Sequence, residues 1–98
     1  MLGDGVENLV LTGGADLRGY GDEGGNDITG NDGANLLNGL LGDDVIAGGL
    51  GNDRLVGAGG DDRMDGGDGV DLLRGDAGAD DMAGGMDNDR LFGGSGDD

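Results

Sequence analysis

This 98-residue chain contains no histidine, cysteine, lysine, tryptophan or proline. Each absence closes a route. Without cysteine there is no disulfide framework and no thiolate metal site. Without histidine or lysine the usual general bases are gone, and so is the lysine of a phosphate-binding loop. The single serine, Ser95, has no base to activate it. No residue is equipped for catalysis, so the chain is not expected to be an enzyme, although a larger parent protein can be one. No apolar run approaches the length of a membrane span, and Met1 to Val10 does not read as a signal peptide. Nucleic acid is not an expected partner. The net charge is −17, and an acidic chain without a basic stripe repels phosphate.

Glycine and aspartate are what the chain has in quantity. With 28 glycines, two aromatics and that charge, composition alone points to a disordered tract, because so little apolar surface cannot offset the entropy of ordering. A strict period overturns that reading, since disordered tracts need no phase. From Gly39 to Phe92 the sequence divides into nines: GLLGDDVIA, GGLGNDRLV, GAGGDDRMD, GGDGVDLLR, GDAGADDMA, GGMDNDRLF, then the stub GGSGDD. Slot one is always Gly (Gly39, Gly48, Gly57, Gly66, Gly75, Gly84, Gly93). Slot six is always Asp (Asp44, Asp53, Asp62, Asp71, Asp80, Asp89, Asp98). Slot eight is a large aliphatic or Met (Ile46, Leu55, Met64, Leu73, Met82, Leu91). Two earlier units, GDEGGNDIT and GNDGANLLN, keep the phase with Ile28 and Leu37 in slot eight, but carry Asn26 and Asn35 in slot six.

Slots one to six have turn chemistry, and slots seven to nine read as a short strand with its middle side chain inward. Glycine recurs too often for a helix. Two units make an eighteen-residue coil with strands in two parallel sheets, coils stacking at about 4.8 Å into a short rod. The expected architecture is an all-β solenoid with a thin aliphatic seam. Residues 1–20 are less regular and are expected to form lead-in or cap strands ahead of the array at 21–98. Gly3 to Leu11 fits the grid with Asn8 in the acid slot and Val10 in the apolar slot. The next unit, TGGADLRGY, breaks it, with Leu17 where the acid belongs. GGSGDD stops inside a repeat, so the chain is expected to be a fragment of a larger protein.

Stacking sets repeat n over repeat n+2, giving two slot-six ladders: Asn35, Asp53, Asp71, Asp89 along one edge, and Asn26, Asp44, Asp62, Asp80, Asp98 along the other. Carboxylates that close repel unless a cation lies between them. Hard carboxylate and carbonyl oxygens with no soft ligand suit Ca²⁺, and suit Mg²⁺ less because it demands a compact octahedral shell. The expectation is one Ca²⁺ between vertically adjacent turns, several ions in all (about five or six). Five ions would lower the formal charge from −17 to roughly −7. Asn26 and Asn35, which lack the charge, mark weaker sites.

The units match the pattern GGxGxDxUx, and the chain resembles the repeats-in-toxin (RTX, hemolysin-type) calcium-binding repeats over about Gly21 to Asp98. The resemblance implies a parallel β-roll, a right-handed β-solenoid with two short strands and two calcium-binding turns per eighteen-residue coil. It implies Ca²⁺ held by the slot-six carboxylates of Asp44, Asp53, Asp62, Asp71, Asp80, Asp89 and Asp98, and by turn carbonyls. Gly48, Gly49, Gly51, Gly57, Gly59, Gly60, Gly66, Gly67, Gly69, Gly75, Gly78, Gly84 and Gly85 would shape those turns. It also implies secretion by a type I exporter and an extracellular location, with folding deferred until calcium is met. One departure is Asp87, which replaces Gly in slot four of the Gly84 to Asp89 turn. Slot two also varies, with Asn31, Leu40, Ala58 and Asp76.

Rival readings are weaker. Asp61, Asp65 and Gly66 hint at an EF-hand, but Arg63 and Leu72 occupy ligand positions. GGDGVDLLRG lacks the βαβ context of a nucleotide loop. An outward Thr ladder for ice is missing, with only Thr12 and Thr29 present. Arg54, Arg63 and Arg90 in slot seven and Arg74 in slot nine are read mainly as solvated charge. The alternative function is a recognition module in which Arg54 and Arg90 contact an acidic polysaccharide, as in the repeat modules of alginate-epimerase-like enzymes. Outward Leu36 and Phe92 are read as packing against other domains of the parent chain.

Overall fold

The computed structural model describes residues 8–94. It contains ten short strands: β1 (Asn8–Val10), β2 (Arg18–Tyr20), β3 (Asp27–Thr29), β4 (Leu36–Asn38), β5 (Val45–Ala47), β6 (Arg54–Ala58), β7 (Arg63–Asp65), β8 (Leu72–Asp76), β9 (Asp81–Ala83) and β10 (Arg90–Phe92). Odd strands form one parallel sheet in the order β1-β3-β5-β7-β9, and even strands the other in the order β10-β8-β6-β4-β2. The result is an all-β solenoid of about five coils. Glycine every few residues forbids longer elements, and the period of two puts slots seven and nine outward and slot eight inward.

From β2 onward the pairing register is eighteen residues, as in Leu37↔Leu55 and Ile46↔Met64. The six side chains Ile28, Leu37, Ile46, Leu55, Met64 and Leu73 are fully buried between the sheets. Fully burying each aliphatic contributes about 1.5–3 kcal/mol, and the seam also locks register, because a one-residue slip would turn every such side chain outward. The seam fades at the C-terminal end, where Met82 is only partly buried and Leu91 is 43% exposed. The molecule is a slab, not the rod expected from stacking alone: its extents are 28 × 27 × 12 Å, so five coils make it only as long as it is wide.

The N-terminal register differs from the expected grid. Leu9, not Val10, pairs with Ile28. Leu9 packs on the core, whereas Val10 is 63% exposed. The offset from Leu9 to Ile28 is nineteen residues, and from Gly19 to Leu37 eighteen. One extra residue is therefore accommodated in the turn between β1 and β2. Burial decides the register here: the strand slides until a large side chain reaches the seam. Gly19 occupies the inward slot of β2, and a Cβ there would lie 3.0 Å from Leu9 and 3.1 Å from Leu37, whose methyls fill the place. Residues 8–20 thus form a coil of the same body, continuous with both sheets.

Candidate metal centre

The turns between strands carry the acid slots. Asp44, Asp53, Asp62, Asp71 and Asp80 are all at least 95% buried, as are Asn26 and Asn35. Their backbone and side chains form the two expected ladders. In each rung one carboxylate oxygen, Oδ1, accepts from the slot-six backbone N–H one coil earlier. Asn26 N donates to Asp44 (2.7 Å), Asp44 N to Asp62 (2.9 Å) and Asp62 N to Asp80 (2.9 Å). On the other edge Asn35 N donates to Asp53 (2.8 Å), Asp53 N to Asp71 (2.7 Å) and Asp71 N to Asp89 (2.8 Å). Asp89 is only half-buried and Asp98 lies outside the described residues.

The second oxygen is the chemically telling one. Oδ2 of Asp44, Asp53, Asp62 and Asp71 is buried with no hydrogen-bond partner. A buried carboxylate oxygen without a donor or a cation is costly. The slot-one glycines show where these oxygens point. A Cβ on Gly48 would sit 2.5 Å from Asp53 Oδ2 and 2.7 Å from the Gly66 carbonyl oxygen of the next coil. A Cβ on Gly66 would sit 2.5 Å from Asp71 Oδ2 and 2.8 Å from the Gly84 carbonyl. One carboxylate and one carbonyl oxygen converge on a space that only a residue without a side chain leaves open. Slots two and four need glycine for another reason: Gly49 and Gly60, for instance, have φ of 92° and 103°. Four side chains accept that left-handed conformation: Leu40, Ala58, Asp76 and, in slot four, Asp87 at φ 74°. Asp87 thus takes the left-handed conformation that Gly has in slot four of other turns.

Burial, more than any neighbouring charge, raises the carboxyl pKa values. Asp44 is pushed up to about 6, Asp53 and Asp62 to about 7, and Asp71 is raised as well, against hydrogen bonds from the backbone that pull the other way. Ladder neighbours add like-charge repulsion, Asp71 on Asp53 and Asp44 and Asp80 on Asp62. Among the described residues no three acidic side chains converge on one point. Each turn from Asp44 to Asp80 supplies one buried slot-six carboxylate, and at Gly48 and Gly66 a carbonyl of the next coil lies beside it.

The two Asn turns are built differently. Asn26 Oδ1 accepts from Asp22 N (2.8 Å), and Asn26 Nδ2 donates to Asp22 Oδ1 (3.0 Å). In the next unit Asn35 Oδ1 accepts from Asn31 N (2.8 Å), and Asn35 Nδ2 donates to Asn31 Oδ1 (2.8 Å). The expectation of weaker sites there was framed in charge alone; the exchange of bonds with slot two was not legible. A second feature passed over is an outer ladder in slot five. Asp43 Oδ1 accepts from Asp61 N (2.8 Å), Asp61 Oδ1 from Ala79 N (2.9 Å), and Asn52 Oδ1 from Val70 N (2.8 Å). The recurrence of Asp or Asn in slot five was its only signal.

The family comparison agrees with this geometry. The RTX calcium-binding nonapeptide repeat model, which describes four copies, matches residues 20–55, 40–73, 48–82, 56–91 and 65–98. The chain belongs to the RTX calcium-binding repeat family. Its repeats are a calcium-binding, non-catalytic module. No curated protein and no solved structure gives a match. The oxygens of this RTX module fit the ion: hard donors only, orphaned lone pairs, and a space kept open by glycine.

The sign of the pH effect follows from the raised pKa values. A carboxyl with a higher pKa folded than unfolded favours the fold while protonated. The metal-free roll should therefore be most stable below about pH 4 and lose that stability progressively as pH rises through 6 to 7, where Asp44, Asp53 and Asp62 ionise. Calcium affinity should rise over the same window, because ligands must shed protons. Circular dichroism in EDTA and calorimetric titration with calcium, each at about pH 5 and about pH 7.5, check both signs.

Proposed function

We propose that this chain is a calcium-dependent folding module, part of a larger exported protein, and that it gains most of its structure on meeting calcium outside the cell. The ligands in this reading are the buried carboxylates of Asp44, Asp53, Asp62, Asp71 and Asp80 and the half-buried one of Asp89, with Asp98 in the same phase. Turn carbonyls such as those of Gly66 and Gly84 complete the shells, and the slot-one, slot-two and slot-four glycines keep them open. Asn26 and Asn35 contribute no charge. About five ions follow from the five pairs of slot-six Asp that lie eighteen residues apart, and an affinity of about 10⁻⁴–10⁻³ M, that of extracellular modules, would keep the chain open in the cell and closed outside. Calcium supplies the positive charge that the ladder lacks, and every bound ion cancels part of a net charge of −17. Residues 8–20 serve as the capping coil such arrays need at an end.

The observation that carries this reading is the row of buried, unpartnered Oδ2 atoms. The test is a circular dichroism titration. The spectrum should be largely open-chain in EDTA and become β-rich with millimolar calcium. Asp53→Ala with Asp71→Ala should raise the midpoint several-fold. A spectrum identical in EDTA and calcium would contradict the proposal.

A second reading has one specific observation behind it. The outward strand positions of the even sheet hold Arg18, Arg54, Arg74 and Arg90, four of the five cations, with Tyr20 and Phe92; the acid among them is Asp76, at the end of β8. In slot seven Arg18, Leu36, Arg54, Leu72 and Arg90 stack in register along a groove of about 600 Å³. Arg63, on the odd sheet, faces Asp81 at 3.8 Å, and Arg74 pairs with Asp76 at 3.0 Å, but Arg18, Arg54 and Arg90 have no ion pair among the described residues. Such a column supports recognition of an acidic polysaccharide by the loaded module. Replacing Arg18, Arg54 and Arg90 with Ser should abolish binding of a polyuronate in an NMR titration and leave calcium affinity intact; unchanged polyuronate binding would remove this reading.

A further inference from the structure

Two of the turns carry a pair of hydrogen bonds between slot two and slot six. In the turn from Gly21 to Asn26 the slot-two side chain folds inward: Asp22 is 6% exposed, and its Oδ1 accepts from Gly24 N (2.9 Å) and from Asn26 Nδ2 (3.0 Å). In the turn from Gly30 to Asn35, Asn31 does the same, with Oδ1 accepting from Gly33 N (2.9 Å) and Asn35 Nδ2 (2.8 Å). Asn31 Nδ2 also reaches the coil below, donating to Ala15 O (2.9 Å) and Thr12 O (3.2 Å). In the Asp turns slot two is instead Leu40, Gly49, Ala58, Gly67, Asp76 or Gly85, all at positive φ, and apart from Asp76 none has a polar side chain.

Asp76 shows what the inward arrangement requires. It has a carboxylate in the same slot, yet its Oδ1 pairs outward with Arg74 Nη2 at 3.0 Å. Its slot-six partner is Asp80, an acceptor facing an acceptor. In the Asn turns the amide Nδ2 supplies a donor that an ionised Asp lacks. The exchange therefore depends on the pair: an Asx in slot two together with Asn in slot six.

From this pairing we infer that Asp22 and Asn31 act as built-in substitutes for the cation, so that residues 21–38 form a metal-independent seed. The inference rests on the calcium reading above and adds a direction to it. Each Asp Oδ1 accepts from a slot-six N–H one coil earlier, so a rung closes only on a coil already in place. The first acid of each ladder, Asp44 and Asp53, is bonded to the N–H of Asn26 and Asn35, the two slot-six residues of the seed. The calcium-dependent coils then add from the N-terminal side toward the C-terminal side.

Amide hydrogen exchange on the full chain, first in EDTA and then in calcium, tests this. In EDTA the amides of Asp22, Gly24, Asn31 and Gly33 and those of β4 should exchange roughly tenfold or more slowly than an open chain, while β7 to β10 exchange freely. Calcium should then protect the rest. Asp22→Ala with Asn31→Ala should erase the protection seen in EDTA. The graft Leu40→Asn with Asp44→Asn should extend that protection by one turn and lower the calcium stoichiometry by one ion. Uniform loss of protection in EDTA with uniform recovery in calcium, or a graft that leaves stoichiometry and protection unchanged, would overturn the seed while leaving calcium binding standing. Protection indifferent to calcium throughout would instead remove the calcium reading itself.

Discussion

Everything in this fold leans on the buried carboxylate that reaches from one coil to the next. One oxygen of Asp44, Asp53, Asp62 and Asp71 caps a backbone N–H of the preceding coil, and the other is buried with no hydrogen-bond partner, facing at Asp53 and Asp71 a space bounded by a carbonyl. The first bond aligns the coils. The second oxygen makes the alignment costly, since burial holds an ionised carboxylate against its preference for water. A hard divalent cation relieves that cost and the repulsion along the ladder together. The aliphatic seam, one side chain per nine residues, sets register but is thin for a chain of this charge. The seam says which strand faces which; in the proposed function, the ion decides whether the coils close.

The same constraint explains the glycines and the exceptions to them. Slot one excludes a side chain because the Asp oxygen and a carbonyl already occupy its direction. Slots two and four turn through the left-handed region, which Leu40, Ala58, Asp76 and Asp87 also enter. Where the acid becomes Asn, the turn changes its internal bonding and slot two does not enter the left-handed region. Charge at slot six and conformation at slot two are thus one choice, made turn by turn, and the array is graded along its length.

The period made most of the architecture readable. Fixed Gly, Asp and aliphatic slots were enough for two parallel sheets, the inward positions from Ile28 to Leu73 and both acid ladders. What escaped the grid did so for physical reasons. Leu9 displaced Val10 because burial outweighs a regular count, and the turn after β1 absorbed the extra residue. The bonds from Asn26 to Asp22 and from Asn35 to Asn31 depend on side-chain direction, which spacing does not encode. The slot-five ladder and the place of Arg18 in the cationic column emerged only from which residues lie one coil apart.

The central claim is that calcium is bound by the orphaned oxygens of the inner ladders. A crystal structure grown in calcium and read by anomalous scattering examines this most directly. The account predicts ions within about 2.3–2.6 Å of Oδ2 of Asp44, Asp53, Asp62 and Asp71, and none in the Asn26 and Asn35 turns. Ions found only on the outer acids such as Asp43 and Asp61, with the inner carboxylates metal-free, would contradict it.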